Sequence, residues 1–164
     1  MKYNVEVCQL SIKFYTDYPS TKYPEIMYKK ERPYTCVLID VKDYYICIPF
    51  RSSIQHNDAF LFTNTIRSLE KRSGLDYKKV ILIKDTNYLN TTTPAIVDSD
   101  EYKMMMSNIK IIINEICDYI TAYVKHIKGI KSLHRREFSR HYLYSTLPYF
   151  HNILGISETN KKDG

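Results

Sequence analysis

The chain has 164 residues, 44% hydrophobic and 26% charged, with a formal net charge of +6 at pH 7. That length suits one domain with its own core, and the composition excludes a disordered chain, so a single domain is expected over 1–164 with residues 158–164 as a fraying polar tail. The basic balance suits nucleic acid, an anionic membrane or an acidic protein as partner, but no stretch approaches the ~20 apolar residues of a membrane span.

Asn4, Glu6 and Gln9 interrupt any apolar signal region after Lys2, so a cytoplasmic protein without a membrane partner is expected. Sixteen tyrosines and no tryptophan supply flat rings that stack on bases or, more simply, pack a core. Cys8, Cys36, Cys47 and Cys117 lack C-x-x-C spacing, which argues against a zinc ribbon or a redox dithiol. They read as reduced thiols, with Cys36 and Cys47 facing each other across a hairpin. No metal and no cofactor are expected.

In chain order, alternation from Val5 toward Tyr15 predicts a strand or two of half-buried sheet. Tyr23 to Lys30 has the pattern of a short amphipathic helix started by a proline. Tyr34 to Ile39 and Tyr44 to Ile48 predict an antiparallel hairpin around a turn at 40–43. Both strands are apolar on both faces and are therefore expected at the centre of the sheet, with Pro49 ending the second.

Ala59 to Thr63 predicts the next strand, and Thr65 to Gly74 a basic loop with Arg67, Lys71 and Arg72 that either tracks phosphates or is merely solvated. Residues 73–77 read as a turn, Lys79 to Ile83 as a strand, Asp85 to Tyr88 as one helical turn, and Pro94 to Val97 as an edge strand. From Asp98 the period lengthens. Asp98 and Glu101 have the spacing of a capping box, and Met105, Ile109, Ile112, Ile116, Ile120, Tyr123, Ile127 and Ile130 form the stripe of one long helix after the last strand, with Gly129 as its stop or kink. Ser132 is expected to cap a further helix through Tyr144, ended by Pro148. Its segment 134–141 carries Arg135, Arg136 and Arg140 with His134 and His141, which suit an RNA-facing or solvated surface better than a metal site. The resulting fold class is α+β, an antiparallel sheet wrapped by helices.

The candidate site lies between the strand ending at Pro49 and the one starting at Ala59, where Arg51, Ser52, Ser53, Gln55, His56 and Asn57 crowd one loop. Cleaving RNA through its own 2′-hydroxyl requires a base, neutralisation of the phosphorane and a proton for the leaving 5′-oxygen. His56 suits acid or base work, Arg51 the developing charge, and the Ser52 hydroxyl the holding of a phosphate oxygen. On spacing alone, a structural or simple phosphate-binding role accounts for the trio more economically. Serine hydrolysis lacks a G-x-S-x-G elbow, and the four glycines form no phosphate-cradling motif.

Phe14-Tyr15, the strand end Ile48-Pro49-Phe50, the run Arg51-Ser52-x-Ile54-x-His56, and Ser73-Gly74-Leu75-Asp76-Tyr77 before KVILI together resemble the toxins of type III toxin–antitoxin systems. The likeness spans roughly residues 14 to 130 and is nearest the CptIN branch, with TenpIN, ToxIN and the AbiQ phage-defence proteins as relatives. It implies a compact, twisted antiparallel sheet or partial barrel like that of MazF and Kid, and a metal-independent endoribonuclease. It further implies cleavage of adenine-rich RNA to a 2′,3′-cyclic phosphate, with cellular RNA as substrate. The implied partner is a repeat-derived antitoxin RNA pseudoknot that the toxin cuts from its precursor and that holds it inactive in a heteromeric protein–RNA assembly. By position, Ser52 matches the family's active-site serine. Where ToxN-type members read Thr-Ser-x-Lys, this chain has Arg51 and Ile54, so Arg51 and His56 take the lysine's role by chemistry rather than by identity. Tyr15, Ser53, Lys71, Arg72 and Lys79, together with Arg135, Arg136 and Arg140, are the expected RNA contacts. Two other readings remain open, a non-catalytic RNA-binding protein and a MazF-like toxin with a protein antitoxin.

Overall fold

The computed structural model describes residues 3–27 and 34–157. Its strands are β1 (Val5–Leu10), β2 (Thr35–Asp40), β3 (Tyr45–Arg51), β4 (Ala59–Leu61), β5 (Gly74–Asp76), β6 (Ile81–Ile83) and β7 (Leu89–Asn90). Its α-helices are α1 (Ile12–Asp17), α2 (Ser99–Ser107), α3 (Ile109–Ile127) and α4 (Arg135–Tyr142). The fold is α+β. Among the described residues the seven strands make one open antiparallel sheet in the order β4-β5-β3-β2-β1-β7, with β6 also paired to β3.

The central hairpin forms where the two apolar runs predicted it. Lys42 takes a positive φ of 75° in its tight turn and donates its N–H to Asp40 Oδ1 at 2.8 Å. β2 and β3 are buried along nearly their whole length. Pro49, however, does not end the strand. Val41 N–H donates to Tyr44 O, which sets the hydrogen-bonded pairs of this hairpin on even-numbered β3 residues. The Pro49 nitrogen therefore points to the other edge. There β3 pairs with β6 at 45–47 and with β5 at 50–51, and Pro49 falls in the gap between the ladders, where no N–H is required. The register also sets Cys36 opposite Cys8 and Pro49, not Cys47, and all four thiols are free.

Other boundaries move for local reasons. The first strand stops at Leu10 because Ser11 caps α1, accepting from Phe14 N–H and donating to Asn87 O. Residues 73–77 contain strand β5 rather than a turn, whereas 94–97 form no strand and the short edge strand is instead β7. Tyr23 to Met27 is not helical, and the rest of that expected helix lies outside the described residues, as does the tail. The helical stretch from Asp98 is divided at Asn108 into α2 and α3. Asp98 is the N-cap by position, but its carboxylate pairs with Arg67 at 3.2 Å instead of closing a capping box. α3 buries Ile112, Ile116, Ile120 and Tyr123 in the same apolar core as β2, β3 and β6. Gly129, at φ 71°, ends it in a Schellman turn, with Ile130 N–H on Lys125 O and Gly129 N–H on His126 O. α4 is capped by His134 Nδ1, not by Ser132, and stops at Tyr142.

Gly74 sits where β5 passes closest to β4. A Cβ there would lie 2.1 Å from Phe60 O, so the two ladders that carry β5 admit only glycine at this point. Gly74→Ala is expected to destabilise the fold by about 1–3 kcal/mol or more through backbone displacement. A chemical denaturation series checks this, and Leu61→Ala, a neighbour without the steric conflict, serves as the comparison.

Candidate active site

β3 delivers Arg51 at its last position, next to the chain reversal at Ser52 and Ser53. Ser53 adopts φ 59°, a left-handed conformation that costs an L-residue about 1–2 kcal/mol, so the surrounding bonds hold this turn against local preference. Arg72 supplies much of that hold. Its guanidinium donates to Ile54 O at 3.0 Å, His56 O at 2.6 Å and Asn57 Oδ1 at 2.6 Å, while its carbonyl receives Ile54 N–H.

The register of β5 against β3 and β4 brings Asp76 beneath this loop. The Asp76 side chain is 0% exposed, and a buried carboxylate must be compensated. Arg51 Nη1 lies 2.8 Å from Oδ2, His56 Nε2 lies 3.0 Å from Oδ1, and Lys78 N–H donates to Oδ1 at 3.1 Å. Burial pushes the Asp76 carboxyl up, but the contacts with His56 and Arg51 outweigh it and leave the group below its usual range.

His56 turns both nitrogens toward the fold. Its Nδ1 accepts Asp58 N–H at 3.1 Å, which requires that nitrogen to be unprotonated and places the ring proton on Nε2. Nε2 is buried against Asp76, at ion-pair distance but off the line of a good hydrogen bond. Asp58 continues the chain of contacts, its Oδ1 lying 2.8 Å from Nδ1 of His141 on α4. The contact series Arg51–Asp76–His56–Asp58–His141 thus ties β3, β5, the loop before β4, and α4 together.

α4 is fastened here from several sides. Tyr119 Oη donates to His141 O, Tyr142 Oη to Tyr119 O, and the Lys78 ammonium to Arg140 O. Its outer face exposes Arg135, Arg136 and Arg140 around a shallow open depression completed by Ser139 and Leu143.

The expected residues therefore divide. Arg51, Ser52, Ser53 and His56 share the turn after β3, and Ser52 makes no side-chain hydrogen bond among the described residues. The exposed arginines of α4 line its outer face, whereas His141 on the same helix is turned to Asp58. Arg72 has its guanidinium committed to the loop, and the Lys79 ammonium is held by Glu25 at 2.6 Å and Tyr144 O at 2.9 Å. Tyr15 is on α1 with its hydroxyl buried, and with Lys79 it lines a narrow crevice against Pro49 rather than the cluster. Lys71 is exposed in the loop between β4 and β5. Among the described residues no three His, Cys, Asp or Glu side chains are grouped to hold a metal ion, and no helix is long and apolar enough to cross a membrane. Asp58 and Asp76 had no local signal as site residues, and His141 was legible only as part of a basic segment.

Comparison of the chain with family models, with curated proteins and with solved structures finds no match.

Because the folded carboxyl of Asp76 titrates below its unfolded value, the unfolded chain takes up this proton first as pH falls. Its stabilising contribution is full above about pH 4, the ordinary aspartate range, and is lost below it. Asp76→Asn is expected to lower stability by about 1–3 kcal/mol at neutral pH and to flatten the acid limb of stability against pH, read by denaturation from pH 2 to 7. Arg72→Ala is expected to cost about 1–3 kcal/mol and to speed amide hydrogen exchange across residues 54–58, with the β2–β3 hairpin unchanged.

Proposed function

We propose that the chain is an endoribonuclease that cuts RNA by attack of the 2′-hydroxyl, leaving a 2′,3′-cyclic phosphate. The observation that carries this reading is the contact series that joins Arg51 at the end of β3, through Asp76, His56 and Asp58, to His141 on α4, with the uncommitted Ser52 hydroxyl next to Arg51 in the chain. Such a set provides a guanidinium for the phosphorane, a hydroxyl for a phosphate oxygen and an imidazole for proton transfer. The net charge of +6 adds general attraction to polyanions.

The finer reading rests on the motif likeness around Ile48-Pro49-Phe50-Arg51-Ser52 and His56. In it the chain is the toxin of a type III toxin–antitoxin system with a MazF- or Kid-like sheet, acting in the cytoplasm on adenine-rich cellular RNA. It processes its own antitoxin repeats and is restrained by the resulting pseudoknot in a protein–RNA assembly. One observation favours a second reading, a non-catalytic RNA-binding protein. His56 Nδ1 accepts the Asp58 N–H and Nε2 is buried 3.0 Å from Asp76 Oδ1, as expected of a residue that shapes a phosphate site without moving protons.

Expression with the native upstream DNA, followed by purification in mild salt and sequencing of bound RNA, separates the two. A discrete repeat-derived RNA ending in a cyclic phosphate supports the toxin reading, and Ser52→Ala should then lower cleavage about 10²-fold or more while RNA binding falls little. RNA-free protein that leaves adenine-rich RNA intact, or binding without new ends, supports the second.

A further inference from the structure

We infer that His141, oriented by Asp58, is the general base of this site and that His56 is a positioning residue; this rests on the ribonuclease reading above. The two imidazoles differ in which nitrogen faces inward. His56 spends its lone pair on the Asp58 N–H and turns its other nitrogen to buried Asp76, with the side chain 21% exposed. A ring so held has no lone pair for a substrate proton.

His141 has the opposite arrangement. Asp58 accepts only, so the 2.8 Å contact places the ring proton on His141 Nδ1 and the lone pair on Nε2. Among the described residues Nε2 forms no hydrogen bond, and the side chain is 32% exposed. The backbone that carries the ring is fixed. Its own carbonyl takes the Tyr119 hydroxyl at 2.7 Å, and the next residue, Tyr142, is buried with its hydroxyl on Tyr119 O. An imidazole fixed at one nitrogen by a carboxylate, with the other open, is the arrangement of a general base.

The same contacts place it usefully. Asp58 supplies its amide to His56 and its carboxylate to His141, so the base stands one residue's contacts away from the loop that carries Arg51 and Ser52. α4 also carries Arg135, Arg136 and Arg140, exposed around the depression on its outer face. In the step, the 2′-hydroxyl proton passes to His141 Nε2, the 2′-oxygen–phosphorus bond forms and the phosphorus–5′-oxygen bond breaks. Water protonates the 5′-oxygen, and the hydroxide so formed recovers the proton from the imidazolium, which balances the cycle.

The test is single-turnover cleavage of a labelled adenine-rich oligoribonucleotide and of the RNA that copurifies with the wild-type chain. His141→Asn keeps an N–H donor for Asp58 but removes the second nitrogen, so it preserves the contact that docks α4; His141→Ala removes both. Each is expected to lose about 10²–10⁴-fold in rate with oligonucleotide binding retained, and added imidazole should restore part of the rate to His141→Ala but none to Ser52→Ala. Asp58→Asn, which disturbs the ring's orientation, should lower kcat with KM little changed. A folded His141→Asn that cuts at the wild-type rate overturns the inference and leaves the ribonuclease reading standing. So does a His141→Ala whose lost rate imidazole does not restore. A wild-type chain that cuts neither RNA overturns both.

Discussion

A carboxylate with no access to water organises this part of the molecule. Asp76 is ionised at the end of a three-residue strand, and removing such a charge from water is tolerated only where partners surround it. The partners come from separate places in the chain: the Arg51 guanidinium from β3, the His56 ring from the following loop, and the Lys78 amide from the turn after β5. Satisfying one buried group thus fixes the positions of the others. The arrangement specifies the loop more than it stabilises the fold, since a buried ion pair recovers in attraction much of what it loses in hydration.

The sheet makes that burial possible. β3 changes partner along one edge, from β6 to β5, and the change happens at a proline whose missing N–H leaves no ladder bond unmade. β5 reaches its place because Gly74 lets it pass against Phe60 O. The strained turn at Ser53 follows directly, clamped from outside by Arg72 and from beneath by the Asp76 contacts. α4 closes the remaining side, its C-terminal Arg140 carbonyl taken up by the Lys78 ammonium, a favourable end for a cation, and the Tyr144 carbonyl just past the helix by the Lys79 ammonium. Lys79, which looks like an RNA contact in one dimension, fastens the segment after this helix.

This explains what could and could not be read from residue order. The central hairpin was legible because two apolar runs flank a tight turn, and the polar loop after it because Arg51, Ser52 and His56 interrupt apolar sequence. Asp76 was not, because an aspartate after Gly74-Leu75 has turn propensity and its burial depends on Ala59, 17 residues away in register with it, and on the Arg51 guanidinium, 25 residues away. The boundary at Pro49 was misplaced for a related reason: local rules know that proline lacks a donor, but not that the neighbouring strand has a gap opposite it. The division at Asn108 interrupts a hydrophobic stripe whose period hardly changes, and the cap of α4 passed from Ser132 to His134, a residue seldom used for that purpose. His141 carries no motif at all. Its significance comes from Asp58, which the fold brings within 2.8 Å across 83 residues.

Two histidines of one contact series thus carry opposite tautomers, His56 sealed by Asp76 and His141 opened by Asp58. Long-range nitrogen–proton correlation spectra of the neutral side-chain imidazoles measure this most directly. The account predicts the proton on Nε2 in His56 and on Nδ1 in His141, with the His56 assignment lost in an Asp76→Asn chain and the His141 assignment lost in Asp58→Asn. A His56 that carries its proton on Nδ1, leaving Nε2 as the free base, would contradict it.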